Sequence, residues 1–375
     1  MAQRKCKNSP LFFSLISLFL FALSLLTKNI TFIAQITLRW NHTQPLGERK
    51  GEVEEVIKPS ISKQEDEEVK DGDYGIELPP KSCDLSKGKW VFDNITRPLY
   101  NEEKCKFLTA QVTCVRNGRK DLMYQNWRWQ PNECSLPKFD AKILLEKLRG
   151  KRLMFVGDSV NRNQWESMVC LLHTGIAPGR ATWKVGAPLS VFSIQDSNVT
   201  VEFYWAPFLV QSNSDDPRNH SISQRIIMPE SISNHGIHWK DADFLVFNTY
   251  IWWMNNPTIK VLRGSSDQES ADYDETTPIM NTTMELDMGT DRRILDIVKN
   301  TIKKKGIPVD LIDITTLSEY RKDAHTSVYT LRQGKLLLPE QKANPAAFAD
   351  CLHWCLPGVP DTWNELLYKH IISRF

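Results

Sequence analysis

Lys151-Arg152-Leu153-Met154-Phe155-Val156-Gly157-Asp158-Ser159 is the stretch from which the fold is read. Leu153 to Val156 are apolar without interruption, which predicts a strand buried on both faces. Gly157-Asp158 breaks the run. From Asn161 to Leu172 the apolar spacing becomes helical, with Trp165, Met168, Val169 and Leu172 on one face. Strand, sharp turn and helix leave Ser159 at the carboxyl end of the strand, where open α/β sheets bind their ligands. The turn has the shape of a nucleophile elbow but not its Gly-x-Ser-x-Gly pattern.

The neighbouring sequence extends this unit. Ala141 to Leu148 has helical spacing and Gly150 stops it. Asp243-Phe244-Leu245-Val246-Phe247-Asn248 predicts a second buried parallel strand, and its end brings Asn248 level with Ser159. Ile294 to Ile302 predicts a helix and Pro308 to Ile314 another strand. This alternation defines an α/β sheet flanked by helices over residues 137–375. Between Trp253 and Asp291 no element is legible, and a loop of roughly 35 residues is long for a compact domain.

The chemistry comes from joining Ser159 to Asp350-Cys351-Leu352-His353. A serine hydroxyl is a poor nucleophile near neutral pH. It needs a base, and the base needs an orienting partner. His353 is the candidate base, and Asp350, three residues earlier, can hold the far imidazole nitrogen. Asp-x-x-His alone is a weak signal, and His353 alone reads equally as a structural residue. The pairing with Gly157-Asp158-Ser159 makes an acyl-transfer site. The N–H of Ser159 and the side chain of Asn248 are candidate oxyanion donors, with Arg162 as a helper. One such donor is worth about 3 kcal/mol of barrier. Asp158 reads as a turn-holding residue. His235 and His238 read as loop residues, not a metal pair, and no metal is expected. Tyr250-Ile251-Trp252-Trp253 follows Asn248, so Trp252 and Trp253 are candidates for a sugar-binding rim, with plain packing as the alternative. The same choice applies to most of the twelve tryptophans.

The chain has 375 residues and a formal net charge of +2, which gives no argument for a nucleic-acid partner. Arg4, Lys5 and Lys7 precede the uncharged run Pro10 to Leu26. Basic residues before such a run predict a cytosolic tail at 1–8 and a transmembrane signal anchor at 9–28, with the remainder lumenal. A cleaved signal peptide is the alternative. Residues 29–81 are polar and poor in aromatics and read as a flexible stem. Residues 82–136 form a cysteine-rich N-terminal domain. Sequons at Asn29, Asn41, Asn94, Asn198, Asn219 and Asn281 fit a lumenal chain. With Cys6 cytosolic, seven lumenal cysteines remain, so an oxidising lumen leaves one unpaired. Zinc is the rival reading, but the spacing is not finger-like.

Taken together, these residues resemble the plant trichome-birefringence-like proteins of polysaccharide O-acetylation. The resemblance runs from Cys83-Asp84 and Gly88-Lys89-Trp90-Val91 through Trp127-Arg128-Trp129, Pro131 and Cys134. It continues through Gly157-Asp158-Ser159 and Asn161-Arg162-Asn163-Gln164-Trp165 to Asp350-Cys351-Leu352-His353-Trp354-Cys355-Leu356-Pro357-Gly358 and Asp361-Thr362-Trp363-Asn364. It implies an SGNH-hydrolase-like fold behind a small disulfide-rich domain, in a single-pass type II protein of the Golgi membrane. It implies disulfides Cys83–Cys134, Cys105–Cys170 and Cys114–Cys355. Phe247 to Asn255, Leu317 to Arg321 and Asp323 to Ser327 are most similar to the xylan branch. The implied acceptor is xylan, and the implied donor is a substrate such as acetyl-CoA, with no bound cofactor. Compared with this family, the chain lacks several tens of residues where Gly264 to Asp274 runs into Glu275-Thr276-Thr277-Pro278. The missing stretch carries a strand and a cysteine, which leaves Cys351 without its implied partner and activity impaired. A polysaccharide acetylesterase with the same three residues, and a non-catalytic glycan-binding protein, are the competing functional classes.

Overall fold

A computed structural model describes residues 75–222, 224–254, 277–278 and 292–374. The tail, the anchor, nearly all of the stem, and the sequons at Asn29, Asn41 and Asn281 lie outside them. No helix among the described residues is long and apolar enough to cross a membrane.

The chain opens with an antiparallel pair, β1 (Gly88–Phe92) and β2 (Trp127–Pro131), with Trp90 opposite Trp129. Helix α1 (Ala141–Lys147) is capped by Asp140, whose carboxylate accepts the Lys142 and Ile143 N–H groups. Gly150, at φ +70°, turns the chain into β3 (Arg152–Gly157). Helix α2 (Ser159–His173) follows at once. Then come β4 (Ala181–Lys184), β5 (Leu189–Ile194), β6 (Val199–Trp205), α3 (Ile232–Trp239), β7 (Phe244–Asn248) and α4 (Tyr250–Met254). Beyond them lie α5 (Arg292–Lys305), α6 (Thr315–Glu319), β8 (His325–Ser327), β9 (Asp350–Trp354) and α7 (Val359–Ile372).

The result is a mixed α/β fold. Five strands form one sheet in the order β4-β5-β6-β3-β7. The three strands β6, β3 and β7 are parallel, while β4 and β5 extend the sheet as antiparallel strands. Strand β3 is central, and Leu153 to Gly157 are buried, as a strand covered on both faces requires. The predicted helical face of α2 (Trp165, Met168, Val169, Leu172) packs in the main core with Leu144, Phe155 and Phe203.

A second core joins the cysteine-rich region to the C-terminal part. Trp90, Tyr124 and Trp129 pack with Val160, Leu317, Tyr320, Trp354 and Trp363. The aliphatic poverty of residues 82–136 is thus made good by aromatic packing against the rest of the chain as well as by disulfides. Cys83–Cys134, Cys105–Cys170 and Cys114–Cys355 are all formed.

Two expectations are corrected. Pro308 to Ile314 is not a strand. A strand needs a ladder partner, and this segment is instead tied by ion pairs, Asp310 to Arg374 at 2.6 Å and Asp313 to Lys299 at 2.8 Å. Cys351 is not a free thiol. It is disulfide-bonded, and no cysteine among the described residues is free.

Behind α2, Asp361 accepts hydrogen bonds from Ser167 at 2.6 Å, Tyr100 at 3.0 Å and the Gly358 N–H at 2.8 Å. Burial pushes its pKa up to about 6, even against these donors. Asp158 is likewise pushed up to about 6 by burial. Between the unfolded value near 4 and about 6, the folded state therefore holds protons that the unfolded chain releases. Stability is expected to fall as pH rises through this window. Thermal melts of the Asp361→Asn chain should show a shallower decline than the parent between pH 4.5 and 7.

Candidate active site

Gly157 closes β3 directly opposite Asn248 at the end of β7. A Cβ at position 157 would stand 1.9 Å from the Asn248 carbonyl oxygen, so only glycine lets these strand ends approach. Asp158 then caps α2, with its Oδ1 accepting Val160 N–H at 2.8 Å and Asn161 N–H at 3.4 Å. That is the turn-holding role read from the sequence. Ser159 is the first residue of α2 and is partly exposed. Its hydroxyl makes no hydrogen bond with a described residue, and its N–H belongs to the free donors of a helix start.

His353 comes from outside the central sheet, on β9, which pairs with β8. Its Nδ1 lies 2.7 Å from Asp350 Oδ2. Asp350 Oδ1 accepts the Leu352 N–H at 2.9 Å and the His353 N–H at 3.1 Å. Burial alone raises the Asp350 carboxyl pKa. The adjacent imidazole and these hydrogen bonds outweigh that and hold it well below the usual carboxylate range. The carboxylate fixes Nδ1 and leaves Nε2 as the nitrogen able to take a proton. No hydrogen bond joins Nε2 to Ser159. Such contacts are often loose before substrate binds.

What brings β9 to α2 is Asn163, one turn past Ser159. Its Oδ1 accepts the Trp354 N–H at 2.8 Å, and its Nδ2 donates to the Trp354 carbonyl at 3.2 Å. The residue after His353 is therefore fastened to the helix that carries Ser159. His325 on β8 adds a ring nitrogen, Nδ1, 3.2 Å from the His353 carbonyl, and stacks on Trp354 at 3.8 Å. Burial lowers its pKa to about 4, so it is neutral, with Nδ1–H donating. The Cys114–Cys355 disulfide holds the other side of His353.

Asn248 is half-buried beside the Ser159 turn, and its side-chain amide makes no hydrogen bond with a described residue. Arg162 stands elsewhere than expected. Its Nη2 donates to Gln111 Oε1 at 2.6 Å and its Nε lies 3.7 Å from the buried Glu166. Gln111 in turn contacts the ring of His353.

The aromatic rim does not form as read. Trp252 is only 6% exposed, in edge contact with Trp205 and Phe208 and beneath the Arg225 guanidinium at 3.8 Å. Trp253 is half-buried, meets Phe208 edge-on and donates to Thr249 Oγ1 at 3.2 Å. The one-turn helix α4 rotates both rings onto the core, a rotation that a run of aromatics does not announce. His235 and His238 lie on helix α3 and not in a loop as expected; His235 lies against Tyr204 Oη and Asp215, and His238 stacks on Tyr204. Asn163, Gln111, Glu166 and His325 are the members of this neighbourhood that sequence reasoning missed. Asn163 and His325 lay within stretches quoted for the family, and Gln111 and Glu166 carried no local signal.

A serine at a parallel-strand turn, with an Asp-braced histidine on a strand fastened to the serine's helix, supplies the parts of a serine acyl-esterase or acyltransferase of the α/β class. Comparison with known proteins agrees. Residues 136–273 and 261–370 match the GDSL/SGNH-like acyl-esterase family found in Pmr5 and Cas1p, and residues 81–135 match the PMR5 N-terminal domain. The chain belongs to this family, among the trichome birefringence-like proteins.

It is 49% identical over 353 residues to xylan O-acetyltransferase 3 of Oryza sativa subsp. japonica, covering 79% of this chain and 77% of the relative. Xylan O-acetyltransferase 4 of the same plant is also 49% identical over 353 residues, with coverages of 79% and 74%. Protein trichome birefringence-like 31 of Arabidopsis thaliana is 39% identical over 343 residues, with coverages of 78% and 83%.

The first alignment spans 353 positions, yet 79% of 375 residues is about 296, so about 57 positions of the relative have no counterpart here. The two matched stretches of the acyl-esterase family meet at 261–273, where the missing segment was expected.

Asn163→Ala is expected to lower stability by about 1–3 kcal/mol in urea melts, because two buried backbone groups of Trp354 lose their partner. Asn163→Asp, which keeps the acceptor for the Trp354 N–H, should recover part of that loss.

Proposed function

We propose that the chain transfers acetyl groups to xylosyl hydroxyls of xylan through an acetyl-serine intermediate at Ser159. The observation that carries this reading is the 2.7 Å His353–Asp350 contact, on a strand tied by Asn163 to the Ser159 helix. The 49% identity to rice proteins named xylan O-acetyltransferases supports the acceptor.

His353 Nε2 takes the Ser159 proton as Oγ attacks the thioester carbonyl of a donor such as acetyl-CoA. The C–S bond breaks, and the departing thiolate receives the proton from His353. A xylose 2- or 3-hydroxyl then gives its proton to His353 and attacks the acetyl-serine ester, and Ser159 leaves with that proton. In both steps the tetrahedral oxyanion faces the Ser159 N–H and the Asn248 amide. Asp350 orients the ring and stabilises the transient imidazolium. Xylan must exclude water from the ester, since water in its place makes the site an esterase.

The reading extends to location. Residues 9–28 anchor the chain in the Golgi membrane with residues 75–374 lumenal. Asn94, Asn198 and Asn219 are exposed, so N-glycans there fit that topology. The roughly 57 positions of the relative without a counterpart here support a second element of the proposal, that this chain is slower than its longer relatives.

The test uses the full-length chain in detergent, with acetyl-CoA and unacetylated xylan and, separately, acetylated xylan alone. Transfer to xylan is expected. Acetate release from acetylated xylan without any transfer would establish the esterase instead. Ser159→Ala should abolish transfer, and Asp350→Asn should lower kcat by about 10²–10⁴-fold. Treatment with an N-glycosidase should shift the mass of the chain expressed in plant cells, and peptide mapping should find glycans at Asn94, Asn198 and Asn219.

A further inference from the structure

Gln111 reaches His353 from the cysteine-rich region. Its Nε2 lies 3.2 Å from the imidazole Nδ1 and 3.3 Å from Nε2. An atom that close to both ring nitrogens cannot lie in the ring plane, because the in-plane approach runs into the Cε1 carbon between them. The amide nitrogen therefore sits over the face of the ring. Which amide atom is nitrogen is fixed by Arg162, whose Nη2 can only donate and does so to Oε1 at 2.6 Å. The Gln111 loop is itself fastened. Thr330 Oγ1 donates to the Gln111 carbonyl at 2.9 Å, and the Leu356 N–H donates to the Val112 carbonyl at 3.0 Å. Cys114 is bonded to Cys355, and Glu166 accepts the Thr109 N–H at 2.8 Å.

We infer that Gln111, held by Arg162, is a positioning residue that fixes the plane of the His353 ring so that Nε2 points at Ser159. The inference rests on the acyl-transfer reading of Ser159 and His353. A single bond from Asp350 to Nδ1 leaves the imidazole free to swing about that contact. A second contact on the ring face removes the freedom and leaves the in-plane Nε2 lone pair open. The charged and titratable groups around His353 are Asp350 on its own strand, Asp158, Arg162 and Glu166 on α2 and its cap, and His325 with Asp323 on the β8 side. Gln111 is the neutral donor among them.

The test is the rate at which a fluorophosphonate labels Ser159 in the full-length chain, measured from pH 5 to 9 and located by peptide mapping. This readout needs neither xylan nor acetyl-CoA. Gln111→Ala is expected to slow labelling by about 10- to 100-fold. Arg162→Ala should do the same, and the double variant should add little. Gln111→Glu keeps the shape and the Arg162 contact, so it folds even where the alanine variant does not. Its carboxylate favours the charged imidazole, so the midpoint of the labelling profile should move to higher pH by about one unit. Unchanged labelling in Gln111→Ala and Gln111→Glu at every pH overturns the inference. So does a uniform slowing of Gln111→Glu with an unmoved midpoint, which assigns the residue to packing alone. A parent chain that the probe does not label at Ser159 overturns the acyl-transfer reading itself, and the inference with it.

Discussion

Asn163 and the backbone of Trp354 hold this site together. Ser159 is placed by the central sheet, but His353 is not part of that sheet. Its two-stranded partner sheet has no ladder to β3 or β7. The serine turn and the histidine strand are therefore joined through side-chain contacts and not through a ladder, those between α2 and β9 foremost. The two bonds from Asn163 are buried, where an exchange for water is unavailable and an unmade bond is costly. The aromatic core around Trp354 and Trp363 excludes that water.

The cysteine-rich region is part of the same construction. Trp90 donates its indole N–H to the Leu317 carbonyl at 2.8 Å, and the Arg321 guanidinium lies over the Trp90 ring while bonding Asp323 and the Tyr124 carbonyl. These contacts seat the α6–β8 segment, which in turn presents His325 to β9. Residues far apart in the chain thus converge on the imidazole from three directions: the sheet turn, the β8–β9 pair and the loop before Cys114.

The legibility of this arrangement in the sequence follows the range of its interactions. The Ser159 turn was readable because strand, break and helix each leave a periodic trace within twenty residues. Asp350 was readable because its bond to His353 spans three residues. Gln111 left no trace, since its contact lies 242 residues away, and His325 was marked only as part of a family-like stretch, since its contact lies 28 residues away. Pro308 to Ile314 misled because its apolar pattern suits a strand but its neighbours supply ion pairs and no ladder. Trp252 misled because whether an aromatic faces solvent or core is decided by the rotation of a one-turn helix. The disulfide pairs came from family resemblance, which carries long-range information that spacing cannot.

Cys114–Cys355 closes a loop whose ends are 241 residues apart. A ribosome therefore releases the first cysteine long before the second exists. The loop bearing Gln111 must wait, without its covalent tether, for the strand that it will brace. Order of synthesis thus becomes order of completion: the Ser159 turn is built from residues made earlier, and the His353 strand is tied to the Gln111 loop only when oxidation joins the two distant halves.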